Sequence, residues 1–216
     1  MLKISASILG ADFARLAEEI ADAEAAGVDG FHIDVMDGHY VPNITMGPAV
    51  TRAVASVAKR PLDAHLMVTD PAKYGPAFIE AGVKRVCFHA ETADDPAGVI
   101  TALRGLGAEV GLAINPDGDV REVKPYLGLV DYLLVMTVHP GFAGQEFIAA
   151  ALDNVTAARN IFGGDIAVDG GITAENARRV FEAGGNVFIV ASAVFKHKDR
   201  TAAVRNLRAA ALARGH

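Results

Sequence analysis

The sequence alternates short runs of β-branched and apolar residues with longer segments whose apolar positions recur at helical spacing. This alternation is typical of consecutive strand–helix units around a parallel sheet. Strands are predicted at residues 3–8, 30–35, 61–67, 85–89, 109–114, 132–138, 165–168 and 186–190. Helices are predicted at residues 12–26, 72–81, 147–161, 174–183 and, after the last strand, near 199–213.

Eight strand–helix units favour a closed (β/α)8 barrel, the TIM-barrel architecture of the α/β class, over an open doubly wound sheet. An open sheet shows the same alternation, but its dinucleotide-binding members have a G-x-G-x-x-G loop after the first strand. This chain has Ile8-Leu9-Gly10-Ala11-Asp12 at that place. Because no low-complexity linker and no change in composition divides the chain, we predict one domain over residues 1–216.

Composition and charge exclude several classes of protein. The formal net charge is −6 and the basic residues are scattered among acidic ones, which argues against a nucleic-acid partner. Cys87 is the only cysteine, so an intrachain disulfide or a thiolate metal cluster is ruled out. The chain has no apolar tract of about eighteen residues and no signal-peptide pattern at its start, so we expect a soluble, cytoplasmic protein with no membrane partner.

Polar side chains stand at the carboxyl ends of three predicted strands, where barrels carry their chemistry. In the second strand His32, Asp34 and Met36 share one face, because side chains in a strand alternate between faces. His65 lies two residues before the end of the third predicted strand, and Asp169 directly follows the seventh. Two carboxylates in one buried layer are costly without a cation, and two imidazoles with two carboxylates suit a divalent metal. We therefore predict a metal site of His32, Asp34, His65 and Asp169, for Zn²⁺, Fe²⁺, Mn²⁺ or Co²⁺.

Two further histidines are interpreted more plainly. A lone histidine near a strand end is usually a hydrogen-bonded core residue, and we interpret His89 in this way because the sequence offers it no acidic partner. His139 lies in a rim loop, where contact with a substrate and simple exposure to solvent are equally compatible with the sequence.

Glycine-bearing loops follow the last three strands. The turns at Gly170-Gly171 and Ala191-Ser192 follow strands seven and eight, where barrels commonly bind phosphate through backbone N–H groups. The alternative is that these are merely tight turns. The loop of residues 139–145 contains a proline and two glycines and has Phe142 at its tip, which fits a lid over the site. A static turn is an equally simple interpretation.

The longest distinctive motif is His32-Ile33-Asp34-Val35-Met36-Asp37-Gly38-His39-Tyr40-Val41-Pro42-Asn43. With residues 5–9, 11–13, 65–67, 140–145, 168–172 and 191–195, it resembles the ribulose-phosphate 3-epimerase family along nearly the whole chain. The resemblance implies a barrel of the ribulose-phosphate-binding type and a metal-dependent isomerase of the pentose phosphate pathway. It also implies a small phosphorylated ketose as substrate and a homo-oligomer.

The resemblance also implies roles for individual residues. Asp34 and Asp169 would be the acid–base pair, acting on opposite faces of the substrate through an enediolate. The residues implied to contact substrate are Ser7, Met36, His65, Gly141, Phe142, Ala143, Gly144, Asp169, Gly170, Gly171, Ala191 and Ser192. The expected reaction is the conversion of D-ribulose 5-phosphate to D-xylulose 5-phosphate.

Three positions depart from the family pattern. The family usually has Asn before Pro-Gly-Phe, Gly-Gly after it, and Gly-Ser in the last turn, where this chain has His139, Ala143 and Ala191. Residues 136–138 and 140–145 also resemble allulose-6-phosphate 3-epimerase, so a six-carbon substrate is the alternative. A non-catalytic barrel that binds sugar phosphates is a further alternative. A Schiff-base aldolase is disfavoured because no lysine ends an inner strand.

Overall fold

The computed structural model describes residues 1–213, so the last three residues of the predicted domain lie outside the described part. The chain forms a closed barrel of eight parallel strands, each paired with the next in sequence and the eighth paired with the first. This confirms the predicted fold. The strands are β1 Lys3–Ser7, β2 Gly30–Met36, β3 Leu62–Met67, β4 Arg85–His89, β5 Glu109–Ile114, β6 Tyr132–Met136, β7 Asp165–Asp169 and β8 Val187–Val190.

Helices surround the barrel and cover its outer face. They are α1 Leu16–Ala26, α2 Pro48–Val57, α3 Pro71–Glu80, α4 Pro96–Gly105, α5 Leu152–Ile161, α6 Ala177–Glu182, α7 Ser192–Phe195 and α8 Arg200–Leu212. Sequence explains where several of them begin. Asp70, Asp95 and Asp199 each accept a backbone N–H of the first turn of α3, α4 and α8, which is the capping role that aspartate favours.

The fifth unit differs from the predicted strand–helix pair. Between β5 and β6 the chain makes two 3₁₀ turns, Val120–Glu122 and Lys124–Tyr126, and no α-helix. The side chain of Asn154 in α5 reaches across to this segment and donates to the carbonyl oxygens of Pro116 and Gly118, at 3.1 and 3.0 Å. The side-chain amide of Asn154 thus provides hydrogen-bond donors for backbone carbonyls that would be paired within a helix if one formed here.

Alternation along the strands divides the core into two layers. In β2, Phe31, Ile33 and Val35 point outward and belong to the large cluster between barrel and helices. The inward residues of other strands form a second cluster inside the barrel, which includes Tyr132 and Met136. The mouth of the barrel is left to polar residues at the strand ends. No helix within residues 1–213 combines the length and apolar character needed to cross a membrane.

Candidate active site

The four predicted metal ligands come together at the carboxyl ends of the strands. His32 and Asp34 come from β2, His65 from β3 and Asp169 from β7, and one ligand atom of each lies within 4.8 Å of all the others. His32 Nε2 is 3.5 Å from Asp34 Oδ1 and 3.9 Å from Asp169 Oδ2. His65 Nδ1 is 3.8 Å from the same Asp169 oxygen. Ligand atoms about 2.0–2.2 Å from one ion lie roughly 3–4 Å from each other, so this spacing requires little adjustment.

The imidazole nitrogens indicate that this cluster fits a metal. His32 Nε2 and His65 Nδ1 are buried, and neither has a hydrogen-bond partner within residues 1–213. Buried polar atoms are nearly always satisfied, so two orphaned nitrogens facing two carboxylates require a partner. A divalent cation is the partner that suits two nitrogen and two oxygen donors. The residues present therefore fit a metal ion, although the donor set does not select one metal.

A third carboxylate, that of Asp63, contacts the outer side of His32. Asp63 contacts His32 Nδ1, and Ser5 Oγ donates to the other Asp63 oxygen at 3.0 Å. A carboxylate on the outer nitrogen fixes the orientation of a metal-binding imidazole. The sequence places Asp63 on the face of β3 that carries His65, but its contact with His32 follows from the register that pairs these two residues.

The two candidate acid–base groups have opposite electrostatic surroundings. Burial, reinforced by the nearby charge of Asp34, raises the pKa of Asp169. Burial also opposes ionisation of Asp34, but the positive charge of His32 outweighs it and lowers the pKa of that carboxyl. Ser7 Oγ donates to Asp34 Oδ2 at 2.5 Å and adds to this effect. With His32 protonated, Asp34 is therefore the more acidic carboxyl and Asp169 the less acidic one, a difference of the kind that an acid–base pair uses.

His89 has polar neighbours that the sequence interpretation missed. As predicted it is fully buried, but it also has an acidic neighbour, since its Nδ1 lies 3.4 Å from Glu91 Oε1. Its Nε2 lies 2.9 Å from His65 Nε2. Glu91 follows β4 by two residues in a 3₁₀ turn, and that turn bends its side chain back to the strand end. The signal in the sequence is His-x-Glu at a strand end, which becomes specific only when the turn is known.

A pocket of about 360 Å³ opens over the cluster. The predicted substrate contacts that line it are Ser7, Met36, Gly141, Phe142, Ala143, Gly144, Asp169, Gly170, Gly171, Ala191 and Ser192. The expected substrate contact of His65 is not seen, because His65 is fully buried and, like His32, does not line the pocket. Met67 and Met136 complete an apolar wall with Met36. No motif in the sequence distinguishes Met136 from an ordinary core residue of β6.

The turn after β7 requires its glycines. Gly170 and Gly171 have φ values of 120° and 64°, a region that other residues rarely adopt. A methyl group on Gly170 would lie 2.9 Å from the backbone nitrogen of Val138. Thr137 Oγ1 donates to the carbonyl of Gly170 at 2.5 Å and holds the turn from β6. The N–H groups of Gly170, Gly171 and Ala191 have no backbone acceptor within the described part of the chain.

The structure accounts for two of the departures from the family pattern. Ala191 has φ −108°, and Ala143 is not among the residues with positive φ, so each accepts a methyl group without backbone strain. The Ala191 methyl lies beside Gly10, where a side chain on Gly10 would come within 3.0 Å of it. His139 lines the pocket.

The loop of residues 139–145 is braced internally and from outside. Gln145 Nε2 donates to the carbonyls of His139 and Phe142, at 2.6 and 2.9 Å. Asn43 Nδ2, from the segment after β2, donates to the carbonyl of Gly141 at 2.7 Å. The tip residue Phe142 is 56% exposed. The loop therefore covers the pocket through polar contacts to its backbone and leaves its apolar tip in solvent.

Comparison with known proteins identifies close relatives of the chain. The sequence model described as the ribulose-phosphate 3 epimerase family matches residues 3–195. A ribulose-phosphate 3-epimerase of Bacillus subtilis is 41% identical over 96% of this chain and 99% of its own length. That of Mycobacterium tuberculosis (strain H37Rv) is 42% identical, over 95% of this chain and 91% of its own. A chloroplastic ribulose-5-phosphate-3-epimerase of Arabidopsis thaliana is 40% identical over 95% of this chain and 76% of its own.

Solved structures with low sequence identity share the architecture. KGPDC from Streptococcus mutans superposes with a TM-score of 0.72 at 13% identity, covering 98% of both chains. Thiamine phosphate pyrophosphorylase from Pyrococcus furiosus gives a TM-score of 0.65 at 17% identity, covering 97% of this chain and 95% of its own. At such identities the likeness concerns the barrel and carries no information about the reaction.

Proposed function

Because the chain belongs to the ribulose-phosphate 3-epimerase family, we propose that it interconverts D-ribulose 5-phosphate and D-xylulose 5-phosphate by inverting C3. The observation that carries the mechanism is the pair of carboxyl groups, Asp34 and Asp169, which line one pocket from two different strands. Inversion next to a carbonyl needs one group to remove a proton and another to return one.

The position of the two aspartates supports a two-base scheme. Asp34 lies near the end of β2, and Asp169 is the last residue of β7. On the shorter path around the ring, two strands, β1 and β8, lie between β2 and β7. A substrate lying between them would present one face of C3 to each carboxyl. Ionised Asp34 takes the C3 proton, and protonated Asp169 delivers a proton to the opposite face. For the reverse reaction the two groups exchange roles, because the product leaves them with exchanged protons.

Other residues of the site exclude water and hold the substrate. A divalent cation bound by His32, Asp34, His65 and Asp169 would supply positive charge for the enediolate oxygens. The wall of Met36, Met67 and Met136 keeps the reacting carbons in an apolar environment. The N–H groups of the turns at Gly170-Gly171 and Ala191 are free of backbone acceptors and would bind the phosphate.

Substitution of the two aspartates tests this scheme. Asp34→Asn and Asp169→Asn should each lower kcat by at least about 10²-fold, because a positioned acid or base contributes about 10²–10⁴-fold. Asp153→Asn, on the surface of α5, is the matched control and should retain normal turnover. Metal content is measured in each preparation, so that loss of the ion is separated from loss of the proton carrier. Near-normal turnover in either active-site variant with metal retained would exclude the two-base scheme.

Solvent isotope incorporation provides a second test. In D₂O the epimer product should carry deuterium at C3, because the delivering carboxyl exchanges its proton with solvent between turnovers. Product that is free of deuterium would contradict a mechanism in which Asp34 and Asp169 act as separate proton carriers.

The alternative substrate is D-allulose 6-phosphate, converted to D-fructose 6-phosphate. Its support is local, because residues 136–138 and 140–145 resemble the six-carbon enzyme. Ala143, which belongs to the second of these segments, lines the pocket, as does His139 between them. Comparison of kcat/KM for the two substrates on one preparation decides between them. The expected result is a clear preference for the five-carbon substrate. We also propose a homo-oligomer, which sedimentation of the same preparation tests.

A further inference from the structure

A chain of polar groups leads from the metal-ligand cluster outward through the wall of the barrel. His65 Nε2 lies 2.9 Å from His89 Nε2, and the two ring centroids are 5.0 Å apart with an angle of 27° between the ring planes. His89 Nδ1 lies 3.4 Å from Glu91 Oε1. The same Glu91 oxygen accepts from Tyr40 Oη and from Asn115 Nδ2, each at 2.8 Å. Neither His89 nor Glu91 lines the pocket over the cluster, so neither is placed to contact substrate.

We propose that His89 and Glu91 are positioning residues that fix the tautomer of His65, so that its Nδ1 offers a free lone pair to the metal. This inference rests on the metal site proposed above. It adds a function for two residues that the acid–base scheme does not use.

His65 offers one of its two ring nitrogens to the metal-ligand cluster. Its Nδ1 faces Asp169 and has no hydrogen-bond partner within residues 1–213, so a metal there requires this nitrogen to be unprotonated. In a neutral imidazole the proton is then on Nε2.

The proton on His65 Nε2 needs an acceptor, and His89 Nε2 is within reach. To accept, His89 must have an unprotonated Nε2 and carry its own proton on Nδ1. Both rings are fully buried, and burial favours the neutral form of an imidazole. The opposite arrangement is also self-consistent: His89 Nε2 donates to His65 Nε2, and the proton of His65 then points from Nδ1 into the cluster. In that arrangement His65 cannot bind a metal.

Glu91 decides between the two arrangements. A negative oxygen 3.4 Å from His89 Nδ1 favours a proton on that nitrogen and repels a lone pair there. Tyr40 Oη and Asn115 Nδ2 both donate to this Glu91 oxygen, which stabilises the ionised carboxylate. Its charge is therefore present at neutral pH, and it orients His89, which in turn orients His65.

The other imidazole ligand has the same support in a shorter form. Asp63 contacts the outer nitrogen of His32 directly. Each histidine of the cluster thus has a carboxylate on its outer side. Asp63 contacts His32 directly, whereas Glu91 acts on His65 through the imidazole of His89. Outer partners of this kind usually contribute about 10–100-fold to metal affinity.

The first measurement is the affinity of the metal-free protein for Zn²⁺, by competition with a chromophoric chelator and without substrate. His89→Phe, which has no acceptor for His65, should weaken binding about 10–100-fold. His89→Gln retains a carbonyl acceptor and should recover most of that loss. Glu91→Gln should weaken binding less than His89→Phe does. Glu80→Gln, an exposed change in α3, is the matched control and should bind as the unmodified chain does.

The second measurement is the ring ¹⁵N NMR spectrum of the metal-free protein, which distinguishes protonated from unprotonated nitrogens. In the unmodified chain His65 should carry its proton on Nε2 and His89 on Nδ1. In Glu91→Gln a substantial fraction should shift to the other tautomer, a change that a purely structural role of Glu91 would not produce. Circular dichroism identifies any variant that fails to fold, and in that case His89→Gln and Glu91→Gln still provide the comparison.

The outcomes separate this inference from the proposed function. If the unmodified chain binds no Zn²⁺, the proposed metal site fails, and the positioning role fails with it. If the unmodified chain binds Zn²⁺ while the His89 and Glu91 variants bind equally well with unchanged tautomers, only the positioning role is overturned.

Discussion

Asp37 connects the ends of two strands that carry candidate metal ligands. It follows β2 directly, and its Oδ1 accepts the backbone N–H groups of His39 and Tyr40, both at 2.9 Å. Its Oδ2 accepts from both the N–H and the hydroxyl of Thr69, just after β3, again at 2.9 Å. Burial opposes the ionisation of Asp37, but these hydrogen bonds outweigh it and lower its pKa to about 2.

The lowered pKa predicts how the contribution of Asp37 to stability depends on pH. The unfolded pKa is about 3.9, so the contribution is fully present above about pH 4 and is lost as pH falls through the folded value. Because the carboxylate is partly solvated, we expect Asp37→Asn to lower the free energy of unfolding by about 1 kcal/mol at pH 7. The difference from the unmodified chain should shrink between pH 4 and pH 2 in urea titrations. Asp94→Asn serves as control, and a difference that stays constant over this range would refute the linkage.

At this scale the sequence predicts side-chain direction better than side-chain contact. Alternation along β2 is enough to put His32 and Asp34 on one face, and position at a strand end adds His65. The contacts of Asp63 and Glu91 depend on sheet register and on the turn after β4, both of which result from packing. Neither is encoded in the spacing of residues along the chain.

The segment between β5 and β6 is the element for which sequence periodicity is least informative. Its two 3₁₀ turns contain Pro125 and are followed by Gly128, both of which disfavour a longer helix. The substitute for helical hydrogen bonds is Asn154, which belongs to α5 and is thus remote in sequence. Local pattern cannot reveal such support from a distant residue.

Asn154→Ala tests this support. Loss of its amide leaves carbonyl oxygens without their donor, so we expect a loss of about 1–3 kcal/mol in the free energy of unfolding. Amide hydrogen exchange should accelerate over residues 115–131 and remain unchanged in the strands. Thr156→Ala, on the exposed side of the same helix, is the control and should change stability by no more than about 0.5 kcal/mol. Exchange that accelerates uniformly over the chain would contradict a local role.

The space at Gly10 depends on the residue at position 191, because the two positions are in close contact. A methyl group on Gly10 would lie 3.0 Å from both the carbonyl carbon and the Cβ of Ala191. Such overpacking costs about 1 kcal/mol or more, so Gly10→Ala should shift the turn at Ala191 and raise KM by roughly fivefold or more. Adding Ala191→Gly removes one of the two close contacts and should restore part of the affinity. Gly163→Ala, where a methyl group meets no atom within 4 Å, is the control. A double variant as impaired as Gly10→Ala alone would show that crowding is not the cause.

For the whole molecule, a metal that bridges β2, β3 and β7 should stabilise the barrel. A ligand that binds only the folded state adds about 2.7 kcal/mol at a hundred times its Kd. We therefore expect a chelator to abolish turnover and to lower the Tm by several degrees, and Zn²⁺ to restore the Tm. His65→Phe should remove the dependence of Tm on Zn²⁺. A Tm that does not respond to metal in the unmodified chain would argue against the site.

The barrel as a whole is readable from the sequence because eight periodic segments leave few closed arrangements. Strand positions agree with the structure to within two residues. The shape of the pocket is harder to predict from the sequence than the barrel is. Asn43 and Gln145, which brace the loop over the pocket, do so by donating to backbone carbonyls. Carbonyl groups are the same in every residue, and their use depends on geometry alone.

The pairing of β8 with β1 has a consequence for biosynthesis. The first strand lacks one of its two neighbours until residues 187–190 have been made, so the ring cannot close on a short nascent chain. At typical elongation rates, about 10–40 s pass between the emergence of the two strands from the ribosome. During this interval the edge of β1 that faces Val187–Val190 is open to other strands. We therefore expect chaperone binding, measured on nascent chains of increasing length, to persist until β8 has emerged and to decline in longer chains.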